Sequence, residues 1–181
     1  PVREGVIRLA REGLLEIVPR RGTFVSGISM EDIRQIYEMR SMLEPQIVEI
    51  AVRKADRKQL EEWNRYFKSV REGENQMMMP SSLPDPDAAF HMFLAESTGN
   101  RFIKAQMETL MTQTQRIRYL SNKWKETRMY ASVDEHLDMI QAMLQGDGKT
   151  AGQLLSAHLK NSEEGYRMMI ASGYLSDVQV W

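Results

Sequence analysis

The strongest constraint on the fold is that the chain, from residue 28 onward, shows helical periodicity and no strand pattern. Apolar residues recur there every three or four positions in six stretches, separated by short segments rich in glycine, proline and asparagine. We predict a kink or a split at Pro45, because proline removes a backbone donor inside a helix. The predicted helices span about 30–53, 57–73, 86–98, 101–122, 126–145 and 149–172. This pattern predicts a mainly all-α fold, an antiparallel bundle of six or seven helices.

Residues 1–27 have a different pattern. The stretch PVREGVIRLAREG has apolar residues at helical spacing, and it is followed by LLEIVP and TFVS, two β-prone runs on either side of Arg20, Arg21 and Gly22. A helix followed directly by a hairpin with a basic tip is typical of the second half of a winged helix-turn-helix. We therefore divide the chain into a partial DNA-binding domain, residues 1–27, and an all-α domain, residues 28–181.

The arginines of the first domain are candidates for contact with DNA. A recognition helix lies in the major groove and its first turn meets the bases, which is where Arg3 stands. Arg20 and Arg21 would reach phosphate or the minor groove, and Gly22 would let the backbone approach closely. Five arginines and three glutamates in residues 1–29 give a local charge of +2. Ordinary solvated surface arginines would explain that charge equally well.

Composition limits the remaining function classes. The whole chain carries a net charge of −1, so a contact with nucleic acid has to be local. Cysteine is absent, which excludes disulfides and thiolate metal sites and fits a reducing cytoplasm, where we expect the protein to act. The sequence has no apolar run long enough to span a membrane and no signal peptide. The chain starts at Pro1 without an initiator methionine, so we expect its natural N-terminus to lie further upstream.

The three histidines of the chain fall on three different predicted helices. His91 follows Asp87 by four residues, so both side chains lie on one helix face. His136 and His158 each lie on the apolar stripe of a later helix. One inward histidine is more often a hydrogen-bonded core residue than a ligand, but three with an aspartate predict a divalent metal site in the bundle. Imidazole and carboxylate suit Zn²⁺, with Ni²⁺ or Mn²⁺ as alternatives.

Two arginines also lie on apolar stripes. Arg40 shares a face with isoleucines and leucines of its predicted helix, and Arg118 shares one with methionines. An arginine in a bundle interior is unfavourable unless it is paired. Each could clamp the carboxylate of an effector in a bidentate manner, and each could instead form an internal ion pair or extend its guanidinium to solvent.

Four stretches carry a resemblance to a known family. The first, PVREGVIRLAREGLLEIVPRRGTFVS, resembles the recognition helix and wing of the GntR family of bacterial transcription regulators. Three later stretches resemble elements of its FadR-type effector domain, called the FCD domain: DAAFHMFLAESTGN, EHLDMIQAMLQGD and AGQLLSAHL. Together these motifs span essentially the whole chain. In the family two more helices precede the recognition helix, so the resemblance implies that half of the DNA-binding module is absent here.

The resemblance also implies site residues. Metal-containing members hold their metal with an aspartate and three histidines, which correspond here to Asp87, His91, His136 and His158. In this family an arginine at the position of Arg40 is common near the effector cavity.

Three functions remain open. The favoured one is a DNA-binding regulator, not an enzyme, that binds a palindromic operator as a homodimer. Its helical domain would bind a metal and a small carboxylate metabolite. The resemblance to the family favours a repressor. The second is a metal-dependent hydrolase or isomerase acting on a small organic acid. It lacks an obvious general base, because Glu135 points about 100° away from its neighbour His136 on the helix. The third is a metal-stabilised interaction module without an effector.

Overall fold

A computed structural model of the chain describes residues 1–74, 78–120 and 125–171. A helix and a hairpin come first, and six helices follow. The elements are α1 (Val2–Arg11), β1 (Leu15–Val18), β2 (Gly22–Val25), α2 (Met30–Lys54), α3 (Arg57–Arg71), α4 (Pro86–Ser97), α5 (Arg101–Leu120), α6 (Lys125–Leu144) and α7 (Gly148–Ala171). The predicted fold class is confirmed. Three predicted helix-end positions, 121, 122 and 172, lie outside the described residues.

The hairpin is short and turns at its basic tip. Strands β1 and β2 pair antiparallel, with Val18 opposite Gly22 at the turn. Arg20 and Gly22 both have a positive φ, of 63° and 121°. The value at residue 22 lies in a region that only glycine adopts without strain, so the turn itself requires Gly22. Both arginines of the tip are exposed.

The long helix α2 begins at a capping box and does not stop at its proline. Ser29 Oγ accepts a hydrogen bond from Asp32 N at 3.0 Å, and Ser29 N donates to Asp32 Oδ2 at 2.7 Å. The helix then continues through Pro45 to Lys54, so the predicted split does not occur.

Close packing of α7 explains why α2 is uninterrupted. A Cβ atom built on Gly152 of α7 would lie 3.3 Å from the carbonyl oxygen of Pro45 and 3.4 Å from Glu49 Oε1. The two helices therefore touch almost backbone to backbone at the proline. Contacts along α7 offset the hydrogen bond that Pro45 cannot make.

Helix α4 lies in the centre of the bundle. Every residue from 87 to 95 is buried, so the helix has no solvent face along this length. An aromatic group packs beside it: Trp63 of α3 stacks on Phe67 at 5.6 Å and meets the edge of Phe90 at 5.5 Å, measured between ring centroids. Any polar residue within 87–95 must consequently find its partners inside the protein.

The N-terminal piece stands apart from this core. No residue of α1 is buried, and Val2 and Val25 are each 81% exposed. Among the described residues, none of the helices combines the length and the apolarity that crossing a lipid bilayer requires.

Candidate metal centre

The four predicted metal ligands lie together at the centre of the bundle. Asp87 and His91 come from α4, His136 from α6 and His158 from α7, and all four are buried. One donor atom from each lies within 4.8 Å of the others. Asp87 Oδ1 is 3.6 Å from His136 Nε2 and 3.5 Å from His158 Nε2. His91 Nε2 is 3.4 Å from His158 Nε2 and 4.0 Å from Asp87 Oδ1.

These separations resemble those of a coordination shell. Donor atoms about 2.0–2.2 Å from a zinc ion at tetrahedral angles lie roughly 3.3–3.6 Å apart. Of the four distances given above, three (3.4–3.6 Å) fall in this range and one, at 4.0 Å, is wider, and all the donor atoms lie within 4.8 Å of one another. Three imidazoles and one carboxylate are borderline donors, the set that suits zinc and its neighbours rather than calcium or magnesium.

His136 supplies the sharpest test of whether a cation fits. Neither of its ring nitrogens has a hydrogen-bond partner among the described residues, although the side chain is 1% exposed. Its ring is held by packing instead, stacked on Phe67 at 4.8 Å and against the edge of Phe90 at 5.2 Å. Burial, and then the nearby His158, lower the pKa of His136 well below its usual value. A neutral buried imidazole with an unsatisfied nitrogen is what a metal ligand requires.

Two glutamates orient the other histidines. Glu44 Oε2 accepts a hydrogen bond from His91 Nδ1, and Glu135 Oε2 accepts one from His158 Nδ1 at 2.7 Å. Because a carboxylate only accepts, each Nδ1 carries the proton and each Nε2 faces the cluster. Asn161 donates in turn to Glu135 Oε1 at 2.8 Å.

Sequence reasoning missed these two glutamates. A signal for Glu44 was present, because it follows Arg40 by one helical turn, the spacing of an ion pair. Glu135 was considered only as a neighbour of His136, whereas its partner His158 lies on the next helix. The pairing across helices leaves no trace in local spacing.

Arg118 balances the charge of Asp87. Its Nη1 contacts Asp87 Oδ2, and its Nε lies 3.1 Å from Asp85 Oδ2. Burial would raise the pKa of Asp87, but the guanidinium of Arg118 and then the neighbouring imidazoles of His158 and His91 hold it well below its usual range. Burial raises the pKa of Asp85 despite the same arginine. Asp87 is thus firmly ionised, while Asp85 is the less favourable partner of Arg118.

Arg40 takes part in a second buried ion pair. It is 1% exposed, and its Nε donates to Glu44 Oε1 at 2.5 Å. Its guanidinium lies 5.1 Å from the ring of Tyr37, three residues earlier on α2. The internal ion pair that the sequence left open is therefore present at both predicted effector arginines.

Two tyrosines that were not predicted lie beside these arginines. The rings of Tyr37 and Tyr166 are 6.0 Å apart. Burial raises the pKa of both phenols, and the charges of Arg40, Arg118 and Asp87 act on both. Phenol and guanidinium groups thus lie together next to the cluster.

The predicted DNA-contacting residues lie far from this cluster in sequence and on the surface. Arg3 is exposed in the first turn of α1, and Arg20, Arg21 and Gly22 are exposed at the hairpin tip. The helix and the wing thus present their basic residues to solvent.

A family model described as FCD domain matches residues 35–161. The matched segment contains the four cluster residues, both buried arginines and both orienting glutamates.

Two curated relatives match nearly the whole chain. It is 26% identical to the HTH-type transcriptional repressor RspR of Escherichia coli (strain K12), over 93% of this chain and 73% of that protein. It is 26% identical to the HTH-type transcriptional regulator LutR of Bacillus subtilis (strain 168), over 97% of this chain and 85% of that protein. Among solved structures, the Zn²⁺-bound FCD domain of TM0439 covers 81% of this chain and 99% of its own, with a TM-score of 0.67 and 23% identity.

Stability should depend on pH through Glu44. Burial alone would raise its pKa, but Arg40 and His91 lower the pKa from 4.5 to about 2. The unfolded chain therefore binds more protons as pH falls from 4.5 toward 2, and the stabilisation by ionised Glu44 is lost across that window.

Glu44→Gln should therefore lower the free energy of unfolding at pH 6, and its difference from the parent should shrink as the pH falls toward 3. Urea titrations followed by circular dichroism at pH 6, 5, 4 and 3 would measure this. Glu61→Gln removes an exposed carboxylate that pairs with Arg57 and should leave the profile of the parent unchanged. A constant gap between parent and Glu44→Gln would contradict the assignment.

Proposed function

The chain belongs to the FCD domain family of GntR-type transcription regulators. We propose that it is a DNA-binding regulator that responds to a metabolite, and that its helical domain holds a divalent metal and a small carboxylate. The observation that carries this proposal is the buried cluster of Asp87 and three histidines. It lies in a helical domain that follows a helix and a basic hairpin. Residues 1–27 would contact DNA and residues 28–181 would bind the effector and dimerise.

The metal would be held by Asp87 Oδ1 and by the Nε2 atoms of His91, His136 and His158. The unsatisfied nitrogens of His136 and the two orienting glutamates support this assignment. Zinc is the first candidate, since a related FCD domain is described as Zn²⁺-bound, and nickel and manganese are the alternatives. When bound, such an ion would supply positive charge, and an ion that accepts more than four ligands, such as nickel or manganese, would also leave positions for an anionic ligand.

The carboxylate effector would bind next to the cluster, on the side of Arg118 and Arg40. Arg118 is the better candidate, because it shares its charge between Asp87 and Asp85, and burial disfavours the ionised form of Asp85. An effector carboxylate could take the place of Asp85 on Arg118 Nε. The phenols of Tyr37 and Tyr166 would offer hydroxyl donors to the rest of the molecule.

The DNA-binding side of the proposal concerns Arg3, Arg20, Arg21 and Gly22. Arg3 would meet base edges, and the hairpin tip would meet phosphate or the minor groove. Two copies of the chain would bind the two halves of a palindromic operator, as two-fold symmetry requires. Repression of bacterial genes in the cytoplasm is the proposed outcome, in keeping with the name of the relative RspR.

An enzymatic role has less support. The described carboxylates that border the cluster are already engaged: Glu44 with Arg40 and His91, Glu135 with His158 and Asn161, and Asp85 with Arg118. A general base needs a carboxylate that faces the reacting atoms.

Metal binding can be tested by ligand removal. After loading with Zn²⁺ and desalting, the parent should retain about one ion per chain, and Asp87→Ala or His136→Ala should lose most of it. Elemental analysis and competition with a chromogenic chelator would measure content and affinity. Asp134→Ala is the matched control, because Asp134 is an exposed aspartate of α6 that pairs with Arg71. Equal metal content in Asp87→Ala and the parent would contradict the metal assignment, and the cluster would then be an ordinary buried polar network.

Effector binding can be tested by calorimetry on the metal-loaded protein. A panel of lactate, sugar acids, dicarboxylates and tricarboxylates should contain at least one acid that binds, and Arg118→Gln should weaken that acid about 10-fold or more. Arg57→Gln alters an exposed arginine of α3 and should bind like the parent. If the protein binds metal but no acid in the panel, the metal-stabilised interaction module is the better description.

DNA recognition can be tested on the natural full-length protein. Selection from a random library should yield a palindrome. Arg20→Ala and Arg21→Ala should each weaken binding to it and reduce the salt slope by about 1 if the lost contact is to phosphate. Arg71→Ala, an exposed arginine of α3, should not change either quantity. Absence of any sequence preference over random DNA at moderate salt would overturn the regulator assignment.

A further inference from the structure

Two side chains of helix α5 donate hydrogen bonds to the N-terminal piece at the base of its hairpin. Gln113 Nε2 donates to Glu12 O at 2.5 Å, and Arg116 Nη1 donates to Gly13 O at 3.2 Å. These carbonyls lie at the C-terminal end of α1, where backbone acceptors have no helical partner. A guanidinium there also complements the partial negative charge of the helix end.

The same arginine also contacts the segment that follows the hairpin. Arg116 Nη2 donates to Ser26 O at 2.7 Å and to Gly27 O at 3.3 Å, directly after β2. Arg116 Nη1 also donates to Gln113 Oε1 at 2.6 Å, which joins the two side chains into one unit. We call Gln113 and Arg116 the latch. Within the described ranges, the latch makes the side-chain hydrogen bonds that connect residues 1–27 to the bundle.

The opposite face of the same helix turn holds the cluster. Arg118 lies about 200° around the helix from Arg116 and about 140° from Gln113. It contacts Asp87, a proposed metal ligand, and Asp85. Between the two faces, Thr114 and Ile117 are 1% and 2% exposed and fix α5 in the core.

We propose that α5 couples the cluster to the N-terminal piece. A change in the interactions of Asp87 and Asp85 alters their contacts with Arg118 and shifts α5. The latch then transmits this shift to the recognition helix and wing. This inference rests on the proposed function, since it names how occupancy of that site would be transmitted. The contact between Arg118 and Asp87 depends on which other groups interact with the Asp87 carboxylate. A packed helix moves as a body, so a change on one face displaces the other. By linkage, the latch must in turn affect affinity at the cluster.

The absence of cysteine from the sequence makes a direct distance measurement straightforward. Thr23→Cys on β2 and Gln59→Cys on α3 are both exposed positions, and nitroxide labels there report the distance between the hairpin and the bundle by pulsed electron paramagnetic resonance. In the labelled parent we expect a narrow distance distribution that changes when Zn²⁺ is bound. With Gln113→Ala and Arg116→Ala combined, we expect a broader distribution that no longer responds to Zn²⁺. The Zn²⁺ dissociation constant of that variant should differ from the parent by about 5-fold or more.

The control variant combines Arg57→Ala with Gln141→Ala. Arg57 Nη1 donates to the carbonyl oxygen of Leu144 at the end of α6, and Gln141 Nε2 donates to Asn64 Oδ1. This variant removes the same side-chain types and a comparable helix-end contact without touching residues 1–27. It should keep the distribution and the Zn²⁺ response of the parent.

Two results overturn the coupling while leaving the proposed function intact. One is a parent that binds Zn²⁺ by elemental analysis but shows an unchanged distribution. The other is a latch variant that responds to Zn²⁺ as the parent does. If the parent binds no Zn²⁺, the metal part of the proposed function fails, and the coupling is decided in metal-free protein with Arg118→Lys. That substitution should shift the distribution, and an unshifted distribution would overturn the coupling.

Discussion

An ionised carboxylate at the centre of a helical bundle needs partners on several sides, and Asp87 sets this requirement for the whole domain. Burial of an unpaired carboxylate is unfavourable by several kcal/mol. Its partners come from other helices: Arg118 from α5, the hydroxyl of Ser132 from α6 and His158 from α7. The arrangement of the helices around α4 is therefore also the arrangement that satisfies one charge. His91, one turn along α4, extends the network to α2 through Glu44.

The features predicted from the sequence are those that local spacing determines. The helices appear within a few residues of their predicted ends, because apolar periodicity and glycine or proline punctuation are local signals. The histidines were predicted to point inward from their positions on apolar stripes, and all three are buried. The continuity of α2 through Pro45 was not predictable in this way, because it depends on how closely α7 packs against it. The partners of the histidines, Glu44 and Glu135, were missed for the same reason.

The two kinds of contact in the molecule differ in character. The bundle is held by buried aromatic and aliphatic groups, whereas the N-terminal piece is held by hydrogen bonds from Gln113 and Arg116 to backbone carbonyls. Burial of apolar area is strong and non-directional, while hydrogen bonds at partly exposed positions contribute about 1 kcal/mol each and depend on geometry. A module held in this second way can change its orientation without disturbing the core. Regulation by reorientation of a DNA-binding module requires this difference between a firmly packed bundle and a module attached by a few hydrogen bonds.

The contact between Gly152 and Pro45 has a bearing on the cluster itself. Helix α2 carries Glu44, which accepts a hydrogen bond from His91, and α7 carries His158, so the separation of these helices bears on how Glu44 and His158 are placed around His91. That separation is set where the missing side chain of residue 152 lets α7 approach the carbonyl of Pro45. One methyl group at that position would push the helices apart on the scale of tenths of an ångström. A glycine six residues before His158 therefore helps to set where that ring lies beside His91.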